Sequence, residues 1–323
     1  MKYGEAPLTG RRIRNMGKPT NLFRRINTWV SFSENRFKWA LLLPTIVLLA
    51  VITVYPTIFA LSLALSDYNL ARASDTLKGY VGLQNFREIL RDPKFWNSFK
   101  ITVLFTVVVV TVEFFLGLVI ALALQGFVTN KLVRTLLLLP MIMAPIVVGL
   151  TWTYLYQSEF GLVTYILRTL HLMSYRTAPL ADVSTALPAI MVVDIWQWTP
   201  FLIMVLLAGL EALPTAPYEA AKIDKAPPLL VFRKITLPLL RPVILIVLVL
   251  RIMDAIRVFD IVYALTEGGP ASVTDVLSMF IYREAFYLWD IGKASAISFI
   301  LLYVIMIISV ILVNLLSRAK SRT

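Results

Sequence analysis

Cysteine is absent from this 323-residue chain, and histidine occurs once, as His171. The first absence excludes a disulfide framework and any thiolate metal site, and the second removes multi-histidine metal chemistry. Charge is also scarce: 15% of residues are Asp, Glu, Lys or Arg, against about 25% in an ordinary soluble domain. No G-x-x-x-x-G-K-[ST] segment occurs, so the chain has no P-loop to cradle nucleotide phosphates. Gly268-Gly269 before Pro270 is a turn signal and not a nucleotide motif. A membrane-embedded enzyme would need His, Cys or carboxylates clustered at one depth, and this inventory argues against it.

What the chain has instead is apolar length. Hydrophobic residues make up 59% of it, and the mean hydropathy is +0.78. Six runs reach the roughly 20 residues that a bilayer crossing requires: 38–66, 97–125, 134–158, 185–210, 242–266 and 291–317. Lipid offers the backbone no hydrogen-bond partners, so the runs are expected to be helices. The predicted fold is an all-α membrane protein with six transmembrane helices. Its parts are a basic segment 1–37, a transmembrane domain 38–317 interrupted by a polar loop 211–241, and a tail 318–323. The first 36 residues are basic and polar, and the apolar run after them is too long for the h-region of a signal peptide. Within that segment Leu22, Phe23, Ile26, Trp29 and Val30 share one helical face, which suits a short helix in the membrane interface.

Positive charge orients the spans. With the N-terminus inside, the inner segments hold nineteen Lys and Arg and the outer segments ten. This asymmetry predicts both termini in the cytoplasm of a bacterial cell, in a multi-pass protein of its cytoplasmic (inner) membrane. On the outer side, residues 79–96 place Leu83, Phe86, Ile89 and Leu90 at helical spacing. Residues 267–289 carry Phe280, Tyr282, Phe286, Tyr287 and Trp289, read as an aromatic belt at the interface.

The loop 211–241 contains YEAAKIDKAPPLLVFRKITLPLLRP over residues 218–242. Pro217 suits the first position of a helix, and Glu219 lies in its first turn, where the dipole favours an acid. Ala220 and Ala221 leave little side-chain bulk. Pro227-Pro228 ends this helix, a second short helix is expected over 229–237, and Pro238 and Pro242 lead into the fifth span. Two short helices lying along the membrane are expected, and the pattern suits equally an ordinary amphipathic loop and a rigid knob that can receive force from a soluble partner.

These residues resemble the EAA loop of ABC-importer permeases, at Glu219-Ala220-Ala221, Ile223-Asp224, Ala226, Phe232, Ile235 to Leu240 and Pro242. The likeness is nearest to carbohydrate-type permeases of the maltose and glycerol-phosphate kind. It extends to Trp196-Gln197-Trp198-Thr199-Pro200-Phe201, Phe259-Asp260, Gly268-Gly269-Pro270, Ala285-Phe286 and Gly82 to Phe86, over residues 38–317. Lys225 departs from the pattern, since the family has glycine there. A lysine implies either ordinary backbone angles or strain.

The resemblance implies a type I importer permease fold with a coupling helix, working by alternating access. It implies a second, homologous permease subunit, two cytoplasmic ATPase subunits and an extracytoplasmic solute-binding protein. The chain is then not an enzyme and binds no cofactor; ATP and Mg belong to the partner subunits. Glu219, Ala220, Ala221, Asp224, Lys225 and Phe232 are the coupling residues it points to.

Charges inside apolar spans are costly, about 2.5–3.5 kcal/mol each at mid-bilayer, and so face a bundle interior or water. The fifth span has Arg251, Asp254, Arg257 and Asp260 at intervals of three with alternating sign. They read as an i,i+3 ion-pair ladder that either fixes packing or borders a path for a polyhydroxyl solute. Asp194, Trp196, Gln197 and Trp198 in the fourth span suit a saccharide, with indoles for its C–H faces and polar groups for its hydroxyls, while Trp198 near Pro200 suits equally a role in filling gaps between helices. Glu113 in the second span is a further candidate. The two arginines favour an acidic or phosphorylated oligosaccharide unless the aspartates pair them. A stand-alone secondary transporter or channel is the competing reading, and it leaves the 218–242 segment without a task.

Overall fold

A computed structural model describes residues 38–39, 41–72, 79–125, 131–175 and 177–320. The chain forms two compact units, Met1–Phe59 and Ala60–Thr323. The interfacial helix expected within 1–37 lies outside the described residues.

The first unit supplies most of helix α1, Leu41–Ala64. Its residues 41–59 are all exposed, as expected of an apolar helix built for lipid. One turn of π-helix, Ala50–Val54, interrupts it, and the Tyr55 N–H bonds the Ala50 carbonyl. Pro56 follows at once. Proline has no N–H and its ring crowds the carbonyl four residues back, so a wider turn before it relieves the clash.

The second unit begins with the end of α1 and continues with α2 (Gln84–Arg91) and the long α3 (Pro93–Leu124). The start of α3 is set by Asp92, whose side chain accepts the Lys94 N–H at 2.8 Å, and by Pro93 at the first helical position. Next come α4 (Lys131–Ile142), α5 (Pro145–Leu155), α6 (Leu162–Thr169) and α7 (Ala186–Glu211). The remaining helices are α8 (Ala216–Ile223), α9 (Pro228–Ala255), α10 (Asp260–Thr266), α11 (Leu277–Phe286) and α12 (Ile291–Lys320).

Among the described residues, five helices are long and apolar enough to cross a membrane, and α4 with α5 makes a sixth if that bent pair is one span. The third span, 134–158, in which Pro140 and Pro145 are expected to produce a kink, is divided at Pro145 into two helices, while Pro140 stays inside the first of them. Its halves meet at 96°, because Pro145 opens a new helix after an extended Ala144. The fifth span also departs from expectation. Helix α9 runs without interruption from Pro228, so no separate short helix covers 229–237. A second π-turn, Phe232–Thr236, sits directly before Leu237 and Pro238, as in α1. The helix then stops at Ala255, and α10 begins at Asp260.

The interior is built mainly by α3 against α7. Phe105, Val109, Ile190 and Val193 pack there with Val262 of α10. Nearer the 211–241 loop, Leu118, Leu202, Leu206, Leu240 and Val247 join α3, α7 and α9. At the other end Phe95, Leu277, Phe280 and Ile297 tie α3 to α11 and α12. Phe86 and Ile89 of α2 reach this last cluster, whereas Leu83 and Leu90 stay exposed. Asp275, before α11, takes two hydrogen bonds from Arg283 at 3.0 and 3.1 Å and one from Ser98 Oγ at 3.3 Å.

The two breaks come together. Helix α5 packs on α10 so closely that a Cβ on Gly149 would lie 2.5 Å from the Cβ of Ala264. Thr153 Oγ1 adds a hydrogen bond to the Ala264 carbonyl at 3.2 Å.

Candidate functional site

Three helices each deliver one charged residue to a common point in the bundle. Glu113 comes from α3, Asp194 from α7 and Arg251 from α9, with exposures of 0%, 1% and 2%. Arg251 donates from Nε and Nη2 to the two oxygens of Glu113 at 2.7 and 2.9 Å, a bidentate pair. Its Nη2 also donates to Asp194 Oδ2, and its Nη1 donates to Asp254 Oδ2 at 3.2 Å. The indole of Trp198 covers the guanidinium, 5.4 Å from ring centroid to carbon. A buried arginine is tolerable only when all its donors are matched, and here each of its three nitrogens faces a carboxylate.

The ladder expected along the fifth span is thus mostly replaced by a knot across three helices. Only its first rung, Arg251 to Asp254, forms. The backbone leaves the helix at residues 256–259, so the later members lose the i,i+3 geometry. Arg257 is exposed, donates from Nε to the Met253 carbonyl at 3.0 Å, and makes no ion pair among the described residues. Asp260 is exposed at the start of α10.

Beside the knot lies a cavity of about 110 Å³, bordered by Asp194, Trp198, Arg251, Asp254, Arg257 and Asp260. Pro145 and Phe259, one from each helix break, also line it, with Val258 and Ile261. Irregular backbone is tolerated within a membrane domain only where protein buries it or a polar cavity hydrates it. Both breaks meet that condition here.

The four residues singled out on α7 do different things. Asp194 and Trp198 border the cavity. Trp196 is 40% exposed and meets Trp152 edge-on at 5.6 Å. Gln197 is fully buried, and its Nε2 donates to the Met143 carbonyl at 3.1 Å. That carbonyl sits at the α4–α5 break, so Gln197 satisfies an acceptor that the bend has released.

The 218–242 segment forms a second candidate site. Pro217 stands in the first turn of α8 and Glu219 follows it there; Glu219 and Ala220 are exposed, while Ala221 is buried. Tyr218 donates to Thr236 Oγ1 at 3.1 Å, tying α8 to the start of α9. Asp224 caps α8 and Lys225 follows with φ of 49°. The Lys225 N–H bonds Lys222 O at 3.1 Å, and the Ala226 N–H bonds Ala221 O at 3.0 Å. This double bond pattern is a Schellman ending, which takes a left-handed residue at the Lys225 position. Lys225 therefore keeps the glycine-like conformation and carries its strain. Phe232 is half-buried and packs on the core shared by α3, α7 and α9.

Residues 113–322 match the family described as "Binding-protein-dependent transport system inner membrane component". The chain is 40% identical over 224 residues to the trehalose/maltose transport system permease protein MalF of Thermococcus litoralis, covering 68% of this chain and 74% of that one. It is 33% identical over 301 residues to the trehalose transport system permease protein SugA of Mycobacterium tuberculosis, covering 93% and 94%. Among solved structures, a bacterial alginate ABC transporter in complex with an alginate pentasaccharide-bound periplasmic protein has a chain that aligns with a TM-score of 0.75 and 25% identity, over 91% of this chain and 98% of that one. The chain belongs to the binding-protein-dependent inner-membrane component family, as a multi-pass permease of an ABC importer.

Proposed function

We infer that this permease carries a saccharide through the cavity beside Arg251, by alternating access driven by partner ATPases. The observation that carries the reading is the meeting of two broken helices at a small polar cavity whose wall combines carboxylates with an indole. Carboxylate oxygens accept hydroxyl hydrogen bonds, and the Trp198 ring presents an apolar face to sugar C–H groups. The relatives named for trehalose and maltose support the same class.

The charge balance favours a neutral saccharide over the acidic or phosphorylated one considered from sequence. Asp194, Asp254 and Asp260 outnumber Arg251 and Arg257 at the wall, and Arg251 is held by its carboxylates.

The assembly proposed is this chain, a second permease, two ATPase subunits that bind ATP and Mg, and an extracytoplasmic binding protein. Exposed Glu219 and Ala220 would enter a cleft of the ATPase, with Asp224 and Lys225 at its edge. Phe232 would hold the coupling helix to the bundle and not touch the ATPase itself. Both termini would then lie in the cytoplasm. The experiment is to purify the assembly and measure ATPase stimulation by binding protein loaded with trehalose, maltose or alginate oligosaccharide. Stimulation by a neutral disaccharide supports the reading; stimulation by alginate alone refutes the neutral assignment, and response to no saccharide refutes the class.

A further inference from the structure

The break at residues 256–259 is also one end of a column of aromatic rings. Phe259, which borders the cavity, lies 5.4 Å from Tyr263 and 5.1 Å from Tyr282 between ring centroids. Tyr282 meets Tyr263 at 5.4 Å, Phe286 at 4.9 Å and Tyr287 at 5.9 Å. Exposure grades along it: Phe259, Tyr263 and Tyr282 are half-buried, while Phe286 and Tyr287 are open at 60% and 54%. The Ser278 hydroxyl donates to the Val258 carbonyl, fastening α11 to the break at the inner end.

An aromatic belt serving only to anchor the protein in the interface would present separate rings to lipid. These rings instead adjoin one another, Phe259 stacked on Tyr263 and Tyr282 tilted or edge-on to the other four, and the group ends at a cavity walled by Asp194, Arg251 and Asp254. Three of the five are tyrosines, which pair an apolar face with a hydroxyl. That combination matches a sugar ring, whose C–H face stacks while its rim forms hydrogen bonds.

We propose that Phe286, Tyr287, Tyr282, Tyr263 and Phe259 form a saccharide-stacking track that leads the solute from the exposed end of α11 to the polar cavity. The track rests on the carbohydrate reading above and extends it to an entry subsite. The contact is made by ring faces, so the hydroxyl of Tyr282 is secondary to its ring.

The assembled transporter in proteoliposomes tests this, with uptake of labelled trehalose and maltotriose measured per assembled complex. Tyr282→Leu lowers uptake roughly tenfold, the effect of losing one or two aromatic contacts, and Tyr282→Phe keeps it within about twofold of wild type. If Tyr282→Leu does not assemble, Tyr287→Ala with Phe286→Ala, at exposed positions, carries the same comparison. Wild-type uptake left unchanged by the aliphatic variants, or lost equally in Tyr282→Phe, overturns the track while the carbohydrate reading stands. A wild-type complex that moves neither sugar overturns both.

Discussion

Arg251 is the residue on which the interior depends. Removing it alone leaves Glu113 and Asp194 buried without a counter-charge, a defect of about 3–5 kcal/mol. Arg251→Met is therefore expected to reduce folded protein in the membrane sharply. Replacing all three members with apolar residues removes the uncompensated charge and is expected to restore the folded protein, because a matched apolar core is at least as stable as a buried ion pair. If the knot borders the solute path, that triple variant still does not transport. Recovery of both folding and uptake would reduce the knot to a packing device. The charge on each of these helices is visible in the sequence, and its expense in lipid marks it as inward-facing. Which charge meets which is set by helix placement, and the even spacing of Arg251, Asp254, Arg257 and Asp260 points to a ladder that the backbone break interrupts. Lys225 is the complementary case, since its identity departs from glycine while its backbone, at φ of 49°, does not.

At the scale of elements, proline explains most of the differences between periodicity and structure. Hydropathy finds the apolar runs but cannot tell a widened turn from a break. Pro56 and Pro238 follow π-turns and leave their helices continuous, whereas Pro145 opens a separate helix after a 96° bend. The α5–α10 contact that gathers the two breaks depends on Gly149. Gly149→Leu is expected to cost about 1–3 kcal/mol by overpacking, read as a lower apparent Tm of the purified complex. Gly149→Ala alone, whose Cβ would lie 2.5 Å from that of Ala264, is expected to lower the Tm as well, and adding Ala264→Gly, which exchanges the two methyl positions, is expected to recover most of the loss of Gly149→Ala; no recovery would mean the contact is not what holds the helices. The loop before α11 has its own signature. Burial pushes the Asp275 carboxyl above its ordinary value of 3.8, and Arg283 and Ser98 act the other way. The folded state therefore holds this proton more tightly than the unfolded chain does. Its contribution to stability is complete below 3.8 and falls as the pH rises through the raised value. Asp275→Asn is expected to flatten that part of a Tm-against-pH profile; an unaltered slope would assign it to other groups.

For the whole molecule, the sequence holds no P-loop motif, and the coupling to partner ATPases proposed above runs through Glu219 and Ala220, which are exposed. The six apolar runs and the EAA-like segment make the class of protein readable before any coordinates. The cavity was not readable, because its wall draws on three segments far apart in sequence, at Pro145, at Asp194 and Trp198, and at Arg251 to Ile261, brought together by two breaks. The most direct measurement is saccharide uptake into proteoliposomes containing the assembled transporter and its loaded binding protein, with and without enclosed ATP and Mg. The account predicts uptake that requires the nucleotide and that Glu219→Lys abolishes by releasing the ATPase from the permease. Uptake by this chain alone, or uptake in the Glu219→Lys complex equal to wild type, would contradict it.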